Sequence, residues 1–231
     1  MFTGIVQSIA QIIEVSDKNG IRTFVLEFEQ DFCHELEIGA SVAVDGVCLT
    51  VTELLSEVRV KFDVMLQSLL ITTLSQYENK AYVNVERAAK DGAEIGGHPL
   101  SGHVDFRTPI ASINHIEENY CIRFSLPKEW KRYIFPKGYI ALNGASLTVS
   151  QVDKKAGWFE VWLIPETRRM TTFEAKTVGA NINVEIERST QVLVDTVRDT
   201  LEEHLGDILP LFERLLSEKG IDIDALGNRQ K

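Results

Sequence analysis

Four segments of this sequence occur twice, in the same order, and no other feature limits its possible folds as strongly. Residues 44–51 (Val-Asp-Gly-Val-Cys-Leu-Thr-Val) match residues 142–149 (Leu-Asn-Gly-Ala-Ser-Leu-Thr-Val), 98 positions further along the chain. Three more pairs are spaced by 98 or 99 positions: residues 2–6 with 100–104, 72–73 with 171–172, and 84–86 with 183–185. This repeat predicts two homologous halves followed by a tail. We place these parts at residues 1–97, 98–188 and 189–231.

The residue pattern within each half predicts short β-strands. Asp45-Gly46 and Asn143-Gly144 are favoured two-residue turns of β-hairpins, and they occupy equivalent positions in the repeat. Residues 58–64 alternate apolar and polar side chains, as a strand with one buried face does, and residues 158–163 follow the same pattern. Because closure removes exposed sheet edges, we expect each half to form a small closed β-barrel in a mainly β protein.

The tail has a helical pattern instead. From residue 194 onward, apolar side chains recur at spacings of three and four and predict an amphipathic helix, at Val197, Leu201, Leu205 and Ile208. Ser189 and Thr190 are candidate N-caps, and Pro210 is expected to limit or kink the helix. The helix can pack on its own barrel or pair with copies of itself. The near-heptad spacing favours oligomerisation, but periodicity leaves both interpretations open.

Composition excludes several classes of function. Lys and Arg total 24 against 34 Asp and Glu, a net charge of −10, and no basic stripe is present, which argues against nucleic-acid binding. No apolar run approaches the roughly 18 residues of a membrane span, and the N-terminus lacks the features of a signal peptide. The three cysteines are an odd number without metal-type spacing. We therefore predict a soluble cytoplasmic protein without nucleic-acid or membrane partners.

The sequence contains no standard catalytic motif. It lacks a phosphate-binding loop, a G-x-S-x-G elbow, an H-E-x-x-H pair and a C-x-x-C pair. Residues 96–103 (Gly-Gly-His-Pro-Leu-Ser-Gly-His) bring two histidines together, but Asp105 is the only Cys, Asp or Glu nearby at ligand spacing. We therefore predict no metal site, and expect one packed histidine and one that faces a site.

The two halves differ at equivalent positions that can carry chemistry. Cys48 corresponds to Ser146, while the following Leu-Thr pair is kept, and Ile5 corresponds to His103. A duplicated loop that presents a thiol once and a hydroxyl once could hold two similar molecules in two different ways. Alternatively, Gly-x-x-Leu-Thr-Val is a hairpin packing motif whose threonines bond to the backbone. The residues alone leave both interpretations open.

Several motifs together resemble the riboflavin synthase family over roughly residues 1–205. They are Met-Phe-Thr-Gly-Ile-Val at 1–6, Cys-Leu-Thr at 48–50, Val-Glu-Arg-Ala at 85–88, Gly-Gly-His at 96–98, Ser-Gly-His at 101–103, Ser-Leu-Thr at 146–148 and Ile-Pro-Glu-Thr at 164–167. The resemblance implies two homologous six-stranded closed β-barrels, followed by a C-terminal amphipathic helix that gathers subunits into a homotrimer. It also suggests lumazine synthase as a partner protein.

The same resemblance implies an activity that needs no metal or organic cofactor. Two molecules of 6,7-dimethyl-8-ribityllumazine dismutate, and one donates a four-carbon unit to the other. The products of this last step of riboflavin biosynthesis are riboflavin and 5-amino-6-ribitylamino-2,4(1H,3H)-pyrimidinedione. The site is expected between the first barrel of one subunit and the second barrel of its neighbour, with one lumazine bound to each barrel.

The implied chemistry selects the candidate catalytic residues. One lumazine loses a proton from its C7 methyl group, and a nucleophile attacks the other. Imidazole is suited to relay protons near neutral pH, so His103 is the first candidate, with Cys48 and Ser41 near the opposing ring. Ser146 is the counterpart of Cys48, and Glu187 stands where the family commonly has an aspartate. Holding the two rings in register is expected to supply much of the acceleration.

The resemblance also implies which residues contact the substrate. In the first half they are two loops and a strand, comprising Phe2, Thr3, Gly4, Ile5, Val6, Cys48, Leu49, Thr50, Asp63, Val64, Met65, Leu66, Gln67 and Ser68. In the second half they occupy the matching segments and one further loop, comprising Gly102, His103, Val104, Lys137, Ser146, Leu147, Thr148, Leu163, Ile164, Pro165, Glu166, Thr167 and Arg168. Residues 63–68 lack the acid–threonine ending that Glu166-Thr167 provides.

An alternative function on the same fold is non-catalytic binding of lumazine or flavin, as in fluorescent antenna proteins. Those proteins tend to lose the binding residues of the second half. Here these residues are all present, namely His103, Lys137, Ser146, Thr148, Glu166 and Thr167. A third interpretation, a purely structural pair of barrels, leaves the differences between the two halves unexplained. The pattern therefore favours the enzyme.

Overall fold

The computed structural model describes residues 1–117, 119–206 and 208–218. The chain divides into two compact units, Met1–Arg188 and Ser189–Lys231, and we describe each by itself. The unit Met1–Arg188 contains two closed barrels of six antiparallel strands each. This confirms the predicted mainly β fold with two homologous barrels.

The first barrel closes in the order β1-β2-β5-β4-β3-β6, with β6 pairing back onto β1. Its strands are β1 (Ser8–Lys18), β2 (Ile21–Glu27), β3 (Ser41–Val44), β4 (Val47–Leu54), β5 (Arg59–Met65) and β6 (Tyr82–Arg87). Between β5 and β6 lie a short helix, α1 (Leu66–Ile71), and the 3-10 turn Thr73–Gln76.

The second barrel repeats the same order, β7-β8-β11-β10-β9-β12, with β12 pairing onto β7. Its elements are β7 (Phe106–Ile116), β8 (Asn119–Ser125), β9 (Tyr139–Leu142), β10 (Ala145–Asp153), β11 (Trp158–Leu163), α2 (Pro165–Met170) and β12 (Asn181–Ile186), with 3-10 turns at Lys128–Trp130 and Thr172–Ala175. The shifts in strand register also recur at equivalent places in the two barrels. The shift at Ile12/Glu14 corresponds to that at Ile110/Ser112, and the shift at Val51/Glu53 to that at Val149/Gln151.

The predicted alternation explains the interior of both barrels. In β5, the side chains of Val60, Phe62 and Val64 are buried inside the first barrel. In β11, three apolar side chains at alternate positions are likewise buried, those of Phe159, Val161 and Leu163. Glu160 lies between them in the sequence and is also buried, with its carboxylate accepting a hydrogen bond from Arg123 Nε at 2.7 Å.

The two predicted hairpin turns meet where the barrels contact each other. All four turn residues have positive φ, which a type I′ turn requires: 44° and 80° for Asp45 and Gly46, 43° and 79° for Asn143 and Gly144. A Cβ on Gly46 would lie 2.7 Å from Gly144 N, and a Cβ on Gly144 would lie 2.9 Å from Gly46 N. Neither tip therefore has room for a side chain.

Equivalent residues of the two halves bind each other reciprocally, so the barrels are related by a pseudo-two-fold axis. Phe2 N donates to Leu100 O at 2.8 Å, and Leu100 N donates to Phe2 O at 2.9 Å. Both side chains are buried together with Ala43 and Ala141. Phe2, one of the predicted substrate residues, is thus held in the contact between the barrels.

The polar part of this contact has the same symmetry. Asn84 Nδ2 donates to Asn143 O, and Asn183 Nδ2 donates to Asp45 O, each at 2.9 Å. The side-chain oxygens of both asparagines accept a backbone N–H from the opposite half, those of Thr172 and Thr73, at 2.8 and 2.7 Å. The repeated Asn-Val-Glu and Thr-Thr segments are therefore interface residues.

The tail forms two helices, α3 (Arg188–Leu205, whose first residue belongs to the barrel unit) and α4 (Ile208–Glu218). Because α3 begins at Arg188, Ser189 and Thr190 lie in its first turn, and their prediction as N-caps was wrong. Pro210 lies in the first turn of α4, where proline is tolerated, so it neither ends nor kinks the first helix. Within the described segments, no helix is long and apolar enough to cross a membrane.

Candidate functional site

The loop that precedes the first strand of each half lies against the hairpin of the other half. We call these two loops, which contain residues 2–6 and 100–104, the crossing loops. Gly4 O accepts a hydrogen bond from Ser146 N at 2.7 Å, and Gly102 O accepts one from Cys48 N at 2.8 Å. Both glycines have positive φ, 76° and 78°. A Cβ on Gly4 would lie 2.5 Å from Ser146 Cβ, and a Cβ on Gly102 would lie 2.6 Å from Cys48 Cβ. The repeated glycine lets each loop lie directly against the opposite hairpin.

This crossing regroups the predicted site residues. From the sequence we grouped residues 4–6 with Cys48 and residues 102–104 with Ser146, each set within its own half. The structure instead joins residues 4–6 to Ser146 and residues 102–104 to Cys48, because the Phe2–Leu100 contact carries each loop across the pseudo-two-fold axis. We name the two groups the Ser146 site and the Cys48 site.

The Ser146 site is a cavity of about 310 Å³, a volume at the lower end of the range for small-molecule pockets. Residues of both halves line it, namely Gly4, Ile5, Val6, Ala145, Ser146, Ile164, Glu166, Thr167, Met170 and Thr171. All but Ala145, Met170 and Thr171 were predicted to contact substrate. The structure thus brings residues that are far apart in the sequence to one cavity.

The Cys48 site is defined by the positions equivalent to those of the Ser146 site. They are Val47, Cys48, Met65, Gln67, Ser68, Ile71, Thr72, Gly102, His103 and Val104. Val104 packs in the core of the first barrel although it belongs to the second half of the sequence. The crossing loop presents an exposed His103 at this site, where the other loop presents Ile5.

His98 gives the Ser146 site a hydrogen-bonded pair of polar side chains. Its Nδ1 lies 2.6 Å from Ser146 Oγ, and its backbone N donates to Thr3 O at 3.0 Å. The ring is 2% exposed, and its Nε2 has no hydrogen-bond partner among the described residues. Burial lowers the pKa of His98, which favours the neutral imidazole. A neutral imidazole beside a hydroxyl can accept its proton.

The residues around His98 have no counterparts of the same type in the first half. The Tyr139 ring stacks on the His98 ring with a centroid distance of 5.1 Å, and the position equivalent to Tyr139 is the predicted Ser41. The Glu187 carboxylate is close enough to act on the pKa of His98, where it opposes the effect of burial. Of the predicted catalytic residues, Ser146 therefore contacts His98 and Glu187 acts on it electrostatically. The sequence analysis did not select His98 itself.

Two buried glutamates hold the crossing loops. Glu86 Oε1 accepts hydrogen bonds from Thr3 N and Thr3 Oγ1 at 2.6 and 2.7 Å, and its Oε2 accepts one from Gly4 N at 3.0 Å. Glu185 makes the same three bonds to Ser101 N, Ser101 Oγ and Gly102 N, at 2.7, 2.7 and 3.0 Å. Burial raises the pKa of both carboxyls, and the hydrogen bonds oppose that rise.

The predicted substrate residues of the strands and short helices, including some that line the two sites, divide between barrel interior and rim. Four are buried and shape the barrels, namely Leu49, Val64, Leu147 and Leu163. Others are exposed at the rim, namely Thr50, Met65, Leu66, Gln67, Thr148, Ile164 and Pro165. Three rim residues bind protein groups: Asp63 accepts from Thr23 Oγ1, Glu166 pairs with Arg169, and Arg168 Nε donates to Glu174, at 2.7, 2.6 and 2.9 Å.

Lys137 occupies a position that favours glycine. Its φ is 67°, and the equivalent residue in the first half is Gly39, with φ of 90°. Both backbone N–H groups donate to the neighbouring strand, to Val149 O at 2.7 Å and to Val51 O at 2.8 Å. A lysine at this strained position is consistent with a role for its side chain.

The residues that the structure adds to the two candidate sites, and that the sequence analysis did not select, are His98, Tyr139, Glu86 and Glu185. The repeat contained a signal for the two glutamates, because they occupy equivalent positions in the Asn-Val-Glu segments. His98 and Tyr139 lie outside the matched segments, so the repeat could not point to them. Within the described residues, no group of three or more His, Cys, Asp or Glu side chains could hold a metal ion.

Comparison with known proteins matches this duplicated architecture. The family described as the lumazine binding domain matches the chain twice, at residues 3–88 and 101–187. Solved structures of LumP, one in complex with 6,7-dimethyl-8-(1'-D-ribityl) lumazine and one with riboflavin, align with TM-scores of 0.73 and 0.75. Each covers 81% of this chain and 100% of LumP, at 23% and 24% identity, which shows a shared fold. The chain is a protein of two lumazine binding domains.

Its curated relatives define the family more narrowly than the domain match does. Riboflavin synthase of Escherichia coli (strain K12) is 45% identical over 202 residues, covering 87% of this chain and 93% of that protein. The riboflavin synthases of Chlamydia pneumoniae and Buchnera aphidicola subsp. Schizaphis graminum are 43% and 37% identical, covering 87% and 92% of this chain and 97% and 100% of those proteins. The chain belongs to the riboflavin synthase family, which confirms the resemblance of its motifs.

Proposed function

We propose that this protein catalyses the reaction of riboflavin synthase, the dismutation of two molecules of 6,7-dimethyl-8-ribityllumazine. The observation that carries the proposal is the pair of equivalent but chemically different sites in one chain. One site combines Ser146 with His98, and the other combines Cys48 with His103. A reaction in which one substrate molecule donates carbon to another of the same kind requires two related sites that treat their ligands differently.

The Ser146 site is suited to the addition of a nucleophile. Neutral His98 can take the proton of Ser146 Oγ or of a water bound to it, and the nearby Glu187 carboxylate stabilises the imidazolium that results. Tyr139 holds the His98 ring by stacking. We propose Ser146 and Glu187 as catalytic residues on this basis, with His98 added.

The Cys48 site is suited to proton transfer at the second lumazine. His103 is exposed on the crossing loop, within the same group as half-buried Cys48. Ser41 begins strand β3 of the same hairpin and lies opposite Thr50 in the pairing. We propose that His103 relays the C7 methyl proton and that Cys48 and Ser41 contact the ring. Substrate contacts at the two sites come from the predicted residues that line them, with Lys137 reaching from the rim.

We propose that the two sites meet in a homotrimer, with the Cys48 site of one subunit facing the Ser146 site of its neighbour. The exposed apolar side chains of the tail support self-association, at Val197, Leu201, Leu205, Ile208, Leu211 and Leu215. Removal of residues 189–231 is expected to give a monomer without activity, measured by gel filtration and by turnover. A fully active monomer would contradict the site between subunits. Association with a lumazine synthase and a cytoplasmic location stay predictions.

One assay tests the proposed function. The purified full chain is mixed with 6,7-dimethyl-8-ribityllumazine, and riboflavin formation is followed by its absorption at longer wavelength. Steady formation of riboflavin, with the pyrimidinedione in equal amount, is the expected result. Lumazine that binds without turnover would overturn the enzyme and favour a non-catalytic antenna-type protein. His103→Ala is expected to slow turnover more than it weakens binding, whereas equal losses would make His103 a binding residue only.

A further inference from the structure

Each crossing loop is held by a carboxylate of its own half but completes the site of the other half. Glu86 binds Thr3 and Gly4, whose loop lies on Ser146, and Glu185 binds Ser101 and Gly102, whose loop lies on Cys48. The two glutamates are 3% and 4% exposed. Each therefore controls a loop whose far side faces a ligand site on the opposite barrel.

The hydrogen bonds continue from each carboxylate to the residue that faces the site. Ser101 Oγ donates to Glu185 Oε1 and accepts from His103 N at 3.2 Å. Thr3 Oγ1 donates to Glu86 Oε1 and accepts from Ile5 N at 3.2 Å. The position of His103 at the Cys48 site, and of Ile5 at the Ser146 site, is thus fixed through one hydroxyl by one buried carboxylate.

We propose that Glu86 and Glu185 are positioning residues that act crosswise, Glu86 on the Ser146 site and Glu185 on the Cys48 site. Neither carboxylate contacts the reacting atoms. Each orders the backbone that closes the other barrel's site, because one carboxylate accepts three hydrogen bonds at once, from two backbone N–H groups and one hydroxyl of the same loop. The proposal rests on the proposed function for its meaning in catalysis, but its geometry can be tested without turnover.

The variants Glu185→Gln and Glu86→Gln keep the shape of the side chain and replace one acceptor oxygen with an NH2 group. That group must face a backbone N–H, so at least one bond of each set is lost and the loop loosens. Glu160→Gln is a matched control, because Glu160 is also 3% exposed but binds Arg123 and Trp162 instead of a crossing loop.

Alkylation by iodoacetamide, followed by peptide mass spectrometry, reads the two sites separately. In the full chain, Glu185→Gln is expected to speed alkylation of Cys48 about tenfold, the size of one lost hydrogen bond to a charged acceptor. Glu86→Gln and Glu160→Gln are expected to leave the alkylation rate of Cys48 unchanged. Cys33, a partly buried thiol packed against the core of the first barrel, reports on general unfolding. When Ser146→Cys is added, the thiol at position 146 is expected to show the opposite dependence. Its alkylation should be faster with Glu86→Gln and unchanged with Glu185→Gln.

Uncrossed effects, or equal effects of both glutamine variants on both thiols, would overturn the proposal. If Cys33 also reacts faster, the milder pair Thr3→Ala and Ser101→Ala must show the crossed pattern or the proposal fails. Each removes the two hydrogen bonds of the side-chain hydroxyl and keeps both backbone N–H bonds to the carboxylate. Protection by 6,7-dimethyl-8-ribityllumazine of the thiols against alkylation distinguishes this proposal from the proposed function. Of the two glutamine variants, only Glu185→Gln is expected to weaken the protection of Cys48. No protection of either thiol in any chain would contradict the proposed function and leave the crossed geometry standing.

Discussion

The Ser146 site and the Cys48 site share one backbone frame and differ in the side chains placed on it. In both, the carbonyl of a glycine on a crossing loop accepts a hydrogen bond from the backbone N–H of Cys48 or Ser146, and a buried glutamate holds the loop. The differences fall at a few equivalent positions, namely Ile5/His103, Ser41/Tyr139, Cys48/Ser146 and Ala88/Glu187. Packing at the pseudo-two-fold axis therefore requires the same frame in both halves, while the side chains at the two sites are free to differ.

The shared frame is most sharply tested where the two hairpins touch. Gly46→Ala and Gly144→Ala are each expected to lower the free energy of unfolding by about 3 kcal/mol or more, because the new Cβ meets backbone atoms and the positive φ is strained. Since the contact is reciprocal, the two losses should be similar. Urea unfolding of the full chain measures them.

Gly20 provides the control for backbone strain. Its φ is 79°, but a Cβ there would have no atom within 4 Å, so Gly20→Ala should cost only about 1 kcal/mol. A loss from Gly144→Ala as small as that from Gly20→Ala would mean that the barrels separate easily at this contact. Unequal losses at Gly46 and Gly144 would break the pseudo-symmetry of the frame.

The chemical difference between the sites predicts the next largest effect, on turnover. Ser146→Ala and His98→Asn are each expected to slow riboflavin formation about 100-fold, the usual size of a lost proton-transfer group. Because the two side chains act as one pair, the double variant should be no slower than either single variant. A steady-state double-mutant cycle measures this coupling.

Cys48→Ala is the control for that cycle. It lies in the other site, outside the Ser146–His98 pair, so its effect should add to that of Ser146→Ala. Additive effects of Ser146→Ala and His98→Asn would show that the 2.6 Å contact has no catalytic role. Strong coupling between Cys48 and Ser146 would instead mean that the two sites do not work separately.

The sequence predicted the frame more fully than the sites. The barrels follow from strand alternation such as that of residues 58–64, and the hairpins follow from Asp45-Gly46 and Asn143-Gly144, because local sterics determine both. The grouping of site residues depends on the crossing loops, which are held by contacts between residues about 98 positions apart, such as Phe2 and Leu100. A repeat shows which positions are equivalent, but it does not show which copy each one faces.

The asymmetric residues were predictable only in part. Cys48/Ser146 and Ile5/His103 stand out once the halves are aligned, because both members lie inside matched segments. His98 begins the second half but precedes its matched segments, and it reaches Ser146 because Gly97 packs against Thr3 O, where a Cβ would lie at 2.3 Å. No sequence pattern predicts this close approach of Gly97 to Thr3 O.

A smaller effect is expected at Lys137, which the first half replaces with Gly39. Lys137→Gly should raise the free energy of unfolding by about 1 kcal/mol, because glycine tolerates the φ of 67°. If the lysine contacts ligand, riboflavin formation should fall although the fold becomes more stable. The reverse variant, Gly39→Lys, should lose stability. Lys137→Gly with full activity would remove Lys137 from the proposed site.

The smallest expected effect concerns a charge that one barrel has at the interface and the other lacks. Asp45 is fully buried where the second barrel has Asn143, and its carboxylate accepts hydrogen bonds from Asn84 N at 2.7 Å and from the hydroxyl of Tyr77. Burial raises the pKa of Asp45, and the charge of Lys176 and these hydrogen bonds oppose the rise.

The sign of the pH effect follows from that raised pKa. Between the ordinary aspartate pKa of about 3.9 and the raised value, the folded protein keeps a proton that the unfolded chain has released, so the free energy of unfolding falls as pH rises. Asp45→Asn removes this dependence and gives both barrels the same residue. Measured by urea unfolding at several pH values from 4 upward, the stability of the variant relative to the parent should increase with pH. Parallel profiles would mean that the charge of Lys176 and the hydrogen bonds fully compensate burial, and that the Asp45 charge costs the interface nothing.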